Sequence, residues 1–189
     1  MRADQPFRFS LAVGLLLSIS AAGHAESPKT ADKPAPSLSG TPSERLGSVD
    51  AWTAYAYREK SGKVCYLAGE PKESGPGGGK QKRPLAMITH RPGEKVANVV
   101  SFVEGHPLKE GSEVSLDIGG AKFDLFTKGD SAWARTAELD KAIVEAMAKG
   151  KQAIVKGTPQ KGPATTDTYS LAGFAQALAL IDKACEVKR

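Results

Sequence analysis

A few side chains in this sequence are of types that perform chemistry. The chain contains two cysteines, Cys65 and Cys185, and His90 and His106 are candidate partners for a thiol. A thiolate activated by a neighbouring imidazole would suit a thiol-dependent redox factor or enzyme that uses Cys65. In an exported protein, two cysteines more commonly form a disulfide. Because each cysteine has only the other as an intrachain partner, we predict a Cys65–Cys185 bridge and keep the thiol chemistry as the alternative.

Three other patterns resemble known chemical sites without completing them. Residues 74–81 are rich in glycine, but they lack the first glycine and the final Ser or Thr of a phosphate-binding loop and lead into a strand-like run. The histidines lack companion ligands at the spacing of a zinc site. We expect solvent-exposed strand positions for the isolated acids Glu104, Asp117, Asp124 and Asp167. We therefore predict no catalytic residue, no cofactor and no metal.

The N-terminal residues have the layout of a secretory signal. Basic residues precede an apolar run over residues 11–22, and Gly23 and Ala25 supply the small side chains of a cleavage site. The apolar run is shorter than a membrane-spanning helix requires. We predict that a signal peptide, residues 1–25, is cleaved after Ala25. The product is then a periplasmic, secreted or outer-surface-associated protein with no transmembrane segment.

The remaining chain divides into a leader and a domain. Residues 26–47 are rich in Pro, Ser and Thr and poor in large apolar side chains, which predicts a flexible leader. Residues 48–189 are long enough to form one domain with a core. The net charge is +5, but the basic residues are scattered and not interleaved with aromatic residues, so we expect no nucleic-acid partner. The predicted contacts to a protein partner are Lys80, Lys82, Arg83 and Trp133.

Short β-like runs dominate the domain from residue 49 onward. Residues 114–118 and 122–126 alternate apolar and polar side chains on either side of Gly119-Gly120, which predicts a hairpin. Helical spacing predicts one helix over residues 136–149 and another that begins after a Ser170 cap. Seven or eight short strands and two late helices predict a mainly β fold, either a β-sandwich or a barrel. A mixed α+β sheet is the competing architecture.

The order of several segments resembles a known family. Trp52 and Cys65 are followed by HPLKEGSEVSLDI at 106–118, GDSAWA at 129–134 and TTDTYSLAGF at 165–174. Residues 48–186 thereby resemble the invasion-associated locus B family of exported proteobacterial proteins, and the YSLAGF segment is the most specific part. The resemblance implies a signal peptide and an immunoglobulin-like β-sandwich with two short helices in the C-terminal half. It brings no catalytic residue with it.

These observations predict an exported, non-enzymatic envelope protein that binds an unknown partner in the cell envelope or on a host surface. The first alternative is the periplasmic thiol-dependent redox factor or enzyme that uses Cys65. The second alternative is a structural protein that stabilises the envelope without a discrete ligand. Fold alone does not choose among the three functions.

Overall fold

Strands are the main elements of the computed structural model, which describes residues 43–75 and 83–189. The predicted signal peptide, the leader up to residue 42, and Lys80 and Lys82 lie outside the described residues. The strands are β1 (Glu44–Val49), β2 (Trp52–Glu59), β3 (Gly62–Gly69), β4 (Glu73–Ser74), β5 (Leu85–Arg91), β6 (Val96–Val103), β7 (Glu113–Ile118), β8 (Ala121–Lys128), β9 (Ser131–Trp133), β10 (Gln152–Gly157) and β11 (Thr165–Ser170). The helices are α1 (Ala137–Lys149) and α2 (Phe174–Ala184).

The described strands form one hydrogen-bonded sheet in which every neighbouring pair is antiparallel. Their order is β1-β2-β3-β5-β6-β9-β8-β7-β10-β11-β4. The predicted mainly β fold with two helices in the C-terminal half is therefore confirmed. The predicted hairpin of β7 and β8 is also present, with Ile118 paired to Ala121 across the Gly119-Gly120 turn. Because the sheet is continuous, the immunoglobulin-like sandwich arrangement is not confirmed.

Strands that are far apart in the sheet order meet around one core. Phe102 on β6 packs edge-on against Tyr169 on β11, with ring centroids 5.6 Å apart. Trp52 on β2 donates a hydrogen bond from its indole nitrogen to the Ser170 carbonyl at 2.9 Å, and its ring contacts Phe174 of α2. The inner faces of the two halves of the sheet therefore share buried apolar contacts, and α2 packs into them.

The first helix follows the signals in its sequence. The Thr136 hydroxyl accepts a hydrogen bond from the Leu139 amide at 3.2 Å, and Gly150 ends the helix. Its apolar side chains Ile143, Val144 and Met147 are buried. The predicted helix over residues 136–149 is confirmed. In residues 43–75 and 83–189, no helix combines the length and apolar character needed to cross a membrane.

The second helix begins later than its sequence suggested. Ser170 is the last residue of β11, and its hydroxyl accepts a hydrogen bond from the Ala172 amide at 3.3 Å. Gly173, with φ of 74°, occupies the N-cap of α2 instead, so the prediction of a Ser170 cap is wrong. A Cβ on Gly173 would lie 2.6 Å from Asp50 Oδ2 and 2.9 Å from the Val49 carbonyl oxygen. The close approach of the β1–β2 turn therefore requires glycine at this position.

Three strands in this fold, β1, β4 and β9, were not predicted from the sequence. β1 includes residues 44–47 of the predicted leader, and its side chains Leu46 and Val49 pack against the core. β9 is only three residues long and carries Trp133 between β6 and β8. The sequence of a strand this short, or with so little alternation of apolar residues, shows no clear periodicity. Such a strand depends on pairing with its neighbouring strands in order to form.

Candidate functional site

The two cysteines of the chain form a disulfide bond. Cys65 lies on β3 and is fully buried, while Cys185 follows the last turn of α2 and is also buried. Their sulfur atoms are 2.05 Å apart, and 120 positions of sequence separate the two residues. The bond is the pairing expected from the sequence, and it fixes the C-terminal helix to the inner face of the sheet.

His90 lies opposite Cys65 in the register of β3 and β5, but its imidazole is held by other groups. Its Nε2 atom is 2.9 Å from Asp182 Oδ1, and its Nδ1 atom accepts a hydrogen bond from the Asn98 amide at 3.0 Å. Because Nδ1 accepts an N–H, the proton of the neutral ring lies on Nε2 and is donated to Asp182. Both ring nitrogens are thus engaged, so His90 does not serve as a base for Cys65 in this arrangement.

A hydrogen-bonded network completes the surroundings of His90. Asp182 also accepts hydrogen bonds from the guanidinium of Arg189, which donates in turn to the Asn98 side chain. Asn98 has φ of 64° at an irregularity in the pairing of β5 and β6. Burial raises the pKa of Asp182, but the hydrogen bonds from His90 and Arg189 outweigh it and hold that pKa below its usual value. The network anchors α2 beside the disulfide.

A surface cleft of about 440 Å³ lies on the outer face of β2, β3 and β5. We name it the Tyr55 cleft. Tyr55 is held in place by stacking on Tyr66, with ring centroids 5.0 Å apart. Its lining is mainly apolar and comprises Ala51, Thr53, Tyr55, Ala68, Glu70, Pro71, Lys72, Leu85 and Ser170. Preformed apolar concavities with a few polar groups are typical of binding sites.

A second, more polar cleft of about 320 Å³ adjoins the first. The two clefts share Lys72 and Ser170, and we name the second the Thr168 cleft. Its other lining residues are Glu73, Lys151, Gln152, Thr168 and Tyr169. The Lys72 amide donates to the Thr168 carbonyl at 2.7 Å, so the segment between β3 and β4 is pinned to β11 and separates the two openings.

Two of the predicted partner contacts, Arg83 and Trp133, lie in different parts of the structure. Arg83 is exposed, and its guanidinium donates to Glu70 Oε2 at 3.1 Å. Since Glu70 lines the Tyr55 cleft, this pair places Arg83 at the rim of that cleft. Trp133 is half-buried on β9, pairs in register with Phe126 of β8, and lines neither cleft. The structure therefore brings Arg83, and not Trp133, to the cleft.

Two of the acids expected on exposed strand positions are buried, so that expectation is wrong for Glu104 and Asp167. Both Glu104 oxygens are buried without a hydrogen-bond partner, as are His106 Nδ1 and the Tyr169 hydroxyl. Asp167 is buried because Thr165, Asp167 and Tyr169 alternate onto the inner face of β11. Asp124 is exposed as expected, while Asp117 is partly buried. We name Glu104, His106, Asp167 and Tyr169 the Glu104 cluster.

Burial dominates the electrostatics of the Glu104 cluster. Burial raises the pKa of Glu104 from its usual 4.5 to about 7, and the neighbouring Asp167 carboxylate adds to the effect. Burial also raises the pKa of Asp167, although the Ser74 hydroxyl and His106 oppose the rise. The pKa of Tyr169 is well above its usual value because of burial, Glu104 and Asp167. Glu104 is therefore largely protonated in mildly acidic solution.

The described part of the chain offers no metal centre. Within residues 43–75 and 83–189, no group of three or more His, Cys, Asp or Glu side chains is placed to hold a metal ion. The Glu104 cluster is included in that finding.

The sequence and the fold match one known family. The family model described as Invasion associated locus B (IalB) protein matches residues 52–182, which is more than half of the chain. The chain belongs to the invasion-associated locus B family. The match begins at Trp52 and ends at Asp182, so it covers the Thr168 cleft, the Glu104 cluster and all of the Tyr55 cleft except Ala51, and it stops before Cys185.

A solved structure has the same fold as this family member. The crystal structure of invasion associated protein B from Bartonella henselae superposes with a TM-score of 0.54, covering 74% of this chain and 97% of that chain. The two sequences are 17% identical, so the likeness concerns the fold. No curated protein matches the chain.

Proposed function

We propose that this invasion-associated locus B family protein is exported to the cell envelope and acts there by binding a partner protein, without catalysing a reaction. The Tyr55 cleft carries the proposal. It is an apolar concavity on the outer face of the sheet, and it is large enough to admit side chains of a partner. The supporting features are the location of the disulfide and the chemistry of the cleft rim.

The disulfide supports an envelope location. Disulfides persist in oxidising compartments and are rare in the bacterial cytoplasm. Cys65 and Cys185 are both buried, and their bond closes nearly the whole domain, so full stability requires oxidation of the two cysteines. An exported protein, periplasmic or at the cell surface after cleavage of residues 1–25, meets that requirement.

The cleft favours a partner of definite chemistry. Leu85, Ala68 and Tyr55 provide apolar surface, and stacking on Tyr66 limits the conformational entropy that Tyr55 loses on binding. Lys72 and the Arg83–Glu70 pair stand at the rim, where charges act more on orientation and association rate than on affinity. The partner is an envelope or host-surface protein that inserts an apolar side chain and presents acidic groups to Lys72.

A pair of matched variants tests the proposal. Ala51 is an exposed residue of the cleft wall, so Ala51→Trp fills the cleft without changing the core. Ala142→Trp adds the same side chain at an exposed position of α1 outside both clefts and serves as the control. Wild type and both variants are crosslinked in envelope extracts and on host-cell surfaces, and the captured proteins are identified by mass spectrometry.

The expected result is a protein captured by wild type and by Ala142→Trp and lost with Ala51→Trp. Capture that is equal for all three proteins would contradict a role for the Tyr55 cleft. Capture of nothing by wild type, together with a detergent-sensitive envelope in a deletion strain, would favour a structural protein without a discrete ligand.

A further inference from the structure

The Glu104 cluster lies where two distant strands of the sheet meet across the core. Glu104 directly follows β6, and its amide donates to the Asp130 carbonyl at 2.8 Å. Asp167 and Tyr169 project from β11, which is five places from β6 in the sheet order. The contact between Phe102 and Tyr169 belongs to the same meeting point. A charge on the Glu104 or Asp167 carboxyl therefore affects the contact between the two halves of the sheet.

Little around Glu104 stabilises a negative charge apart from the nearby Thr165 hydroxyl, which opposes the rise in the pKa of Glu104. β10 contributes the Gly157 backbone, where a Cβ would lie 3.3 Å from Glu104 Oε2. The Thr165 hydroxyl of β11 donates to the Gly157 carbonyl at 3.3 Å. No ion pair to Glu104 or Asp167 occurs among the described residues. The titratable neighbours are Asp167 and Tyr169 from β11 and His106 from the same loop as Glu104.

We propose that the Glu104 cluster is a pH-sensitive switch in which a proton on Glu104 holds the loop of residues 104–108 against β11, and loss of that proton to solvent loosens this join. The deprotonated state places two carboxylates near each other in a buried site where, among the described residues, neither has an ion-pair partner. Such a charge is costly unless the site opens to water. The contact between residues 104–108 and β11 is therefore most stable in mildly acidic solution and weakens at neutral and alkaline pH.

The direction in which stability changes with pH follows from the raised pKa of Glu104. Below its usual pKa of 4.5, the side chain is protonated in the folded and unfolded states, and the stabilisation is fully present. Between 4.5 and about 7, the unfolded chain loses the proton while the folded chain keeps it, so stability falls as pH rises. The unfolding equilibrium constant is expected to increase up to about 300-fold across this interval.

Other titratable groups also contribute to the pH dependence of stability, so variants are needed to assign the effect to Glu104. The pKa of Asp140 is raised to about 6, so its titration also lowers stability as pH rises. The lowered pKa of Asp182 has the opposite effect on stability. Glu104→Gln removes the titration at nearly constant shape, and Asp167→Asn removes the neighbouring charge. Glu110→Gln, at an exposed position shortly after the same loop, is the control.

The experiment is urea unfolding of the oxidised protein at pH 5, 6, 7 and 8, with hydrogen exchange of residues 104–108 and 165–170 corrected for intrinsic rates. Wild type and Glu110→Gln should lose stability as pH rises and should exchange faster in both segments at pH 8. Glu104→Gln should lose most of this dependence, and Asp167→Asn should weaken it. A Glu104→Gln protein with the wild-type pH dependence would overturn the proposal.

A measurement on the wild type covers the case in which the variants do not fold. Carbon-13 NMR of the side-chain carboxyl groups follows the titration of Glu104 directly in the folded protein. A midpoint near 7 that coincides with faster exchange at residues 165–170 is expected. A Glu104 midpoint below 5, or an exchange profile that does not change across the titration, would refute the switch.

Discussion

Removal of the disulfide should cost this protein a large part of its stability. The bond closes a segment in which the two cysteines are 120 positions apart. In the loop-entropy description, a crosslink over a segment of that length stabilises the folded state by about 5 kcal/mol, before any strain is subtracted. Domains of this size are typically stable by only about 5–15 kcal/mol, so a loss of about 5 kcal/mol takes a third or more of the total.

Urea unfolding of four proteins measures this loss. The proteins are wild type, Cys65→Ala, Cys185→Ala and the double variant, each with and without a strong reductant. Because either single substitution abolishes the crosslink, the three variants should unfold at similar, much lower urea concentrations. Reductant should lower the midpoint of wild type once unfolding exposes the bond, and it should leave the double variant unchanged.

Two results would refute the reasoning. One is a double variant whose unfolding free energy lies within about 1 kcal/mol of wild type, because the crosslink would then add little to folding. The other is alkylation of two thiols in protein purified from the envelope without reductant, because the bond would then be absent in the native compartment. The second result would also reopen the thiol-dependent alternative.

Three further substitutions test the packing, and urea unfolding measures each. Gly173→Ala should destabilise the protein by more than about 1 kcal/mol, because alanine is strained at positive φ and its Cβ would overlap Asp50; an unchanged midpoint would contradict this. Asp140→Ala should cost about 1–3 kcal/mol, because the Val100 amide loses its 2.7 Å acceptor, whereas Asp140→Asn should cost less. Trp52→Phe should cost about 1 kcal/mol or more through the lost indole hydrogen bond to β11, and no loss would mean that this contact does not join the two halves of the sheet.

Local signals in the sequence predicted the elements that depend on local structure. The β7–β8 hairpin has strict alternation around Gly119-Gly120, and α1 has a Thr136 cap and a Gly150 stop. The Ser170 cap failed because the position of α2 depends on the approach of the distant β1–β2 turn to Gly173. Residues that satisfy a local rule can thus be displaced by a tertiary contact that no window of sequence contains.

The candidate site was harder to predict for the same reason. β11 is polar along most of its length, so its sequence does not show that Asp167 faces the core. The Tyr55 cleft forms only when β2, β3 and β5 are joined by the segment that crosses to β4. Arg83 reaches the rim through Glu70, which precedes it by thirteen residues. These arrangements follow from contacts between segments that are distant in sequence and not from local spacing in the chain.

The cleft and the Glu104 cluster share one strand, and this leads to a prediction about binding. On β11, Asp167 and Tyr169 face the cluster, while Thr168 and Ser170 line the clefts. α2 is held by the disulfide and by the His90–Asp182 hydrogen bond. Among the described residues, the far edge of β11 pairs with the two-residue strand β4 and with the backbone of Lys72 and Gly75 on either side of it. Movement at the cleft should therefore occur through β11 and not through α2.

The affinity of a partner that binds the Tyr55 cleft should accordingly weaken from pH 5.5 to pH 8 in wild type and vary less in Glu104→Gln. Surface plasmon resonance with the captured partner measures this, and Glu110→Gln controls for the added amide. Equal pH dependence in wild type and Glu104→Gln would mean that the cleft and the buried carboxyl act independently, even if each proposal holds separately. A reduced dependence in Glu104→Gln alone would show that protonation in the core is transmitted along β11 to the binding surface.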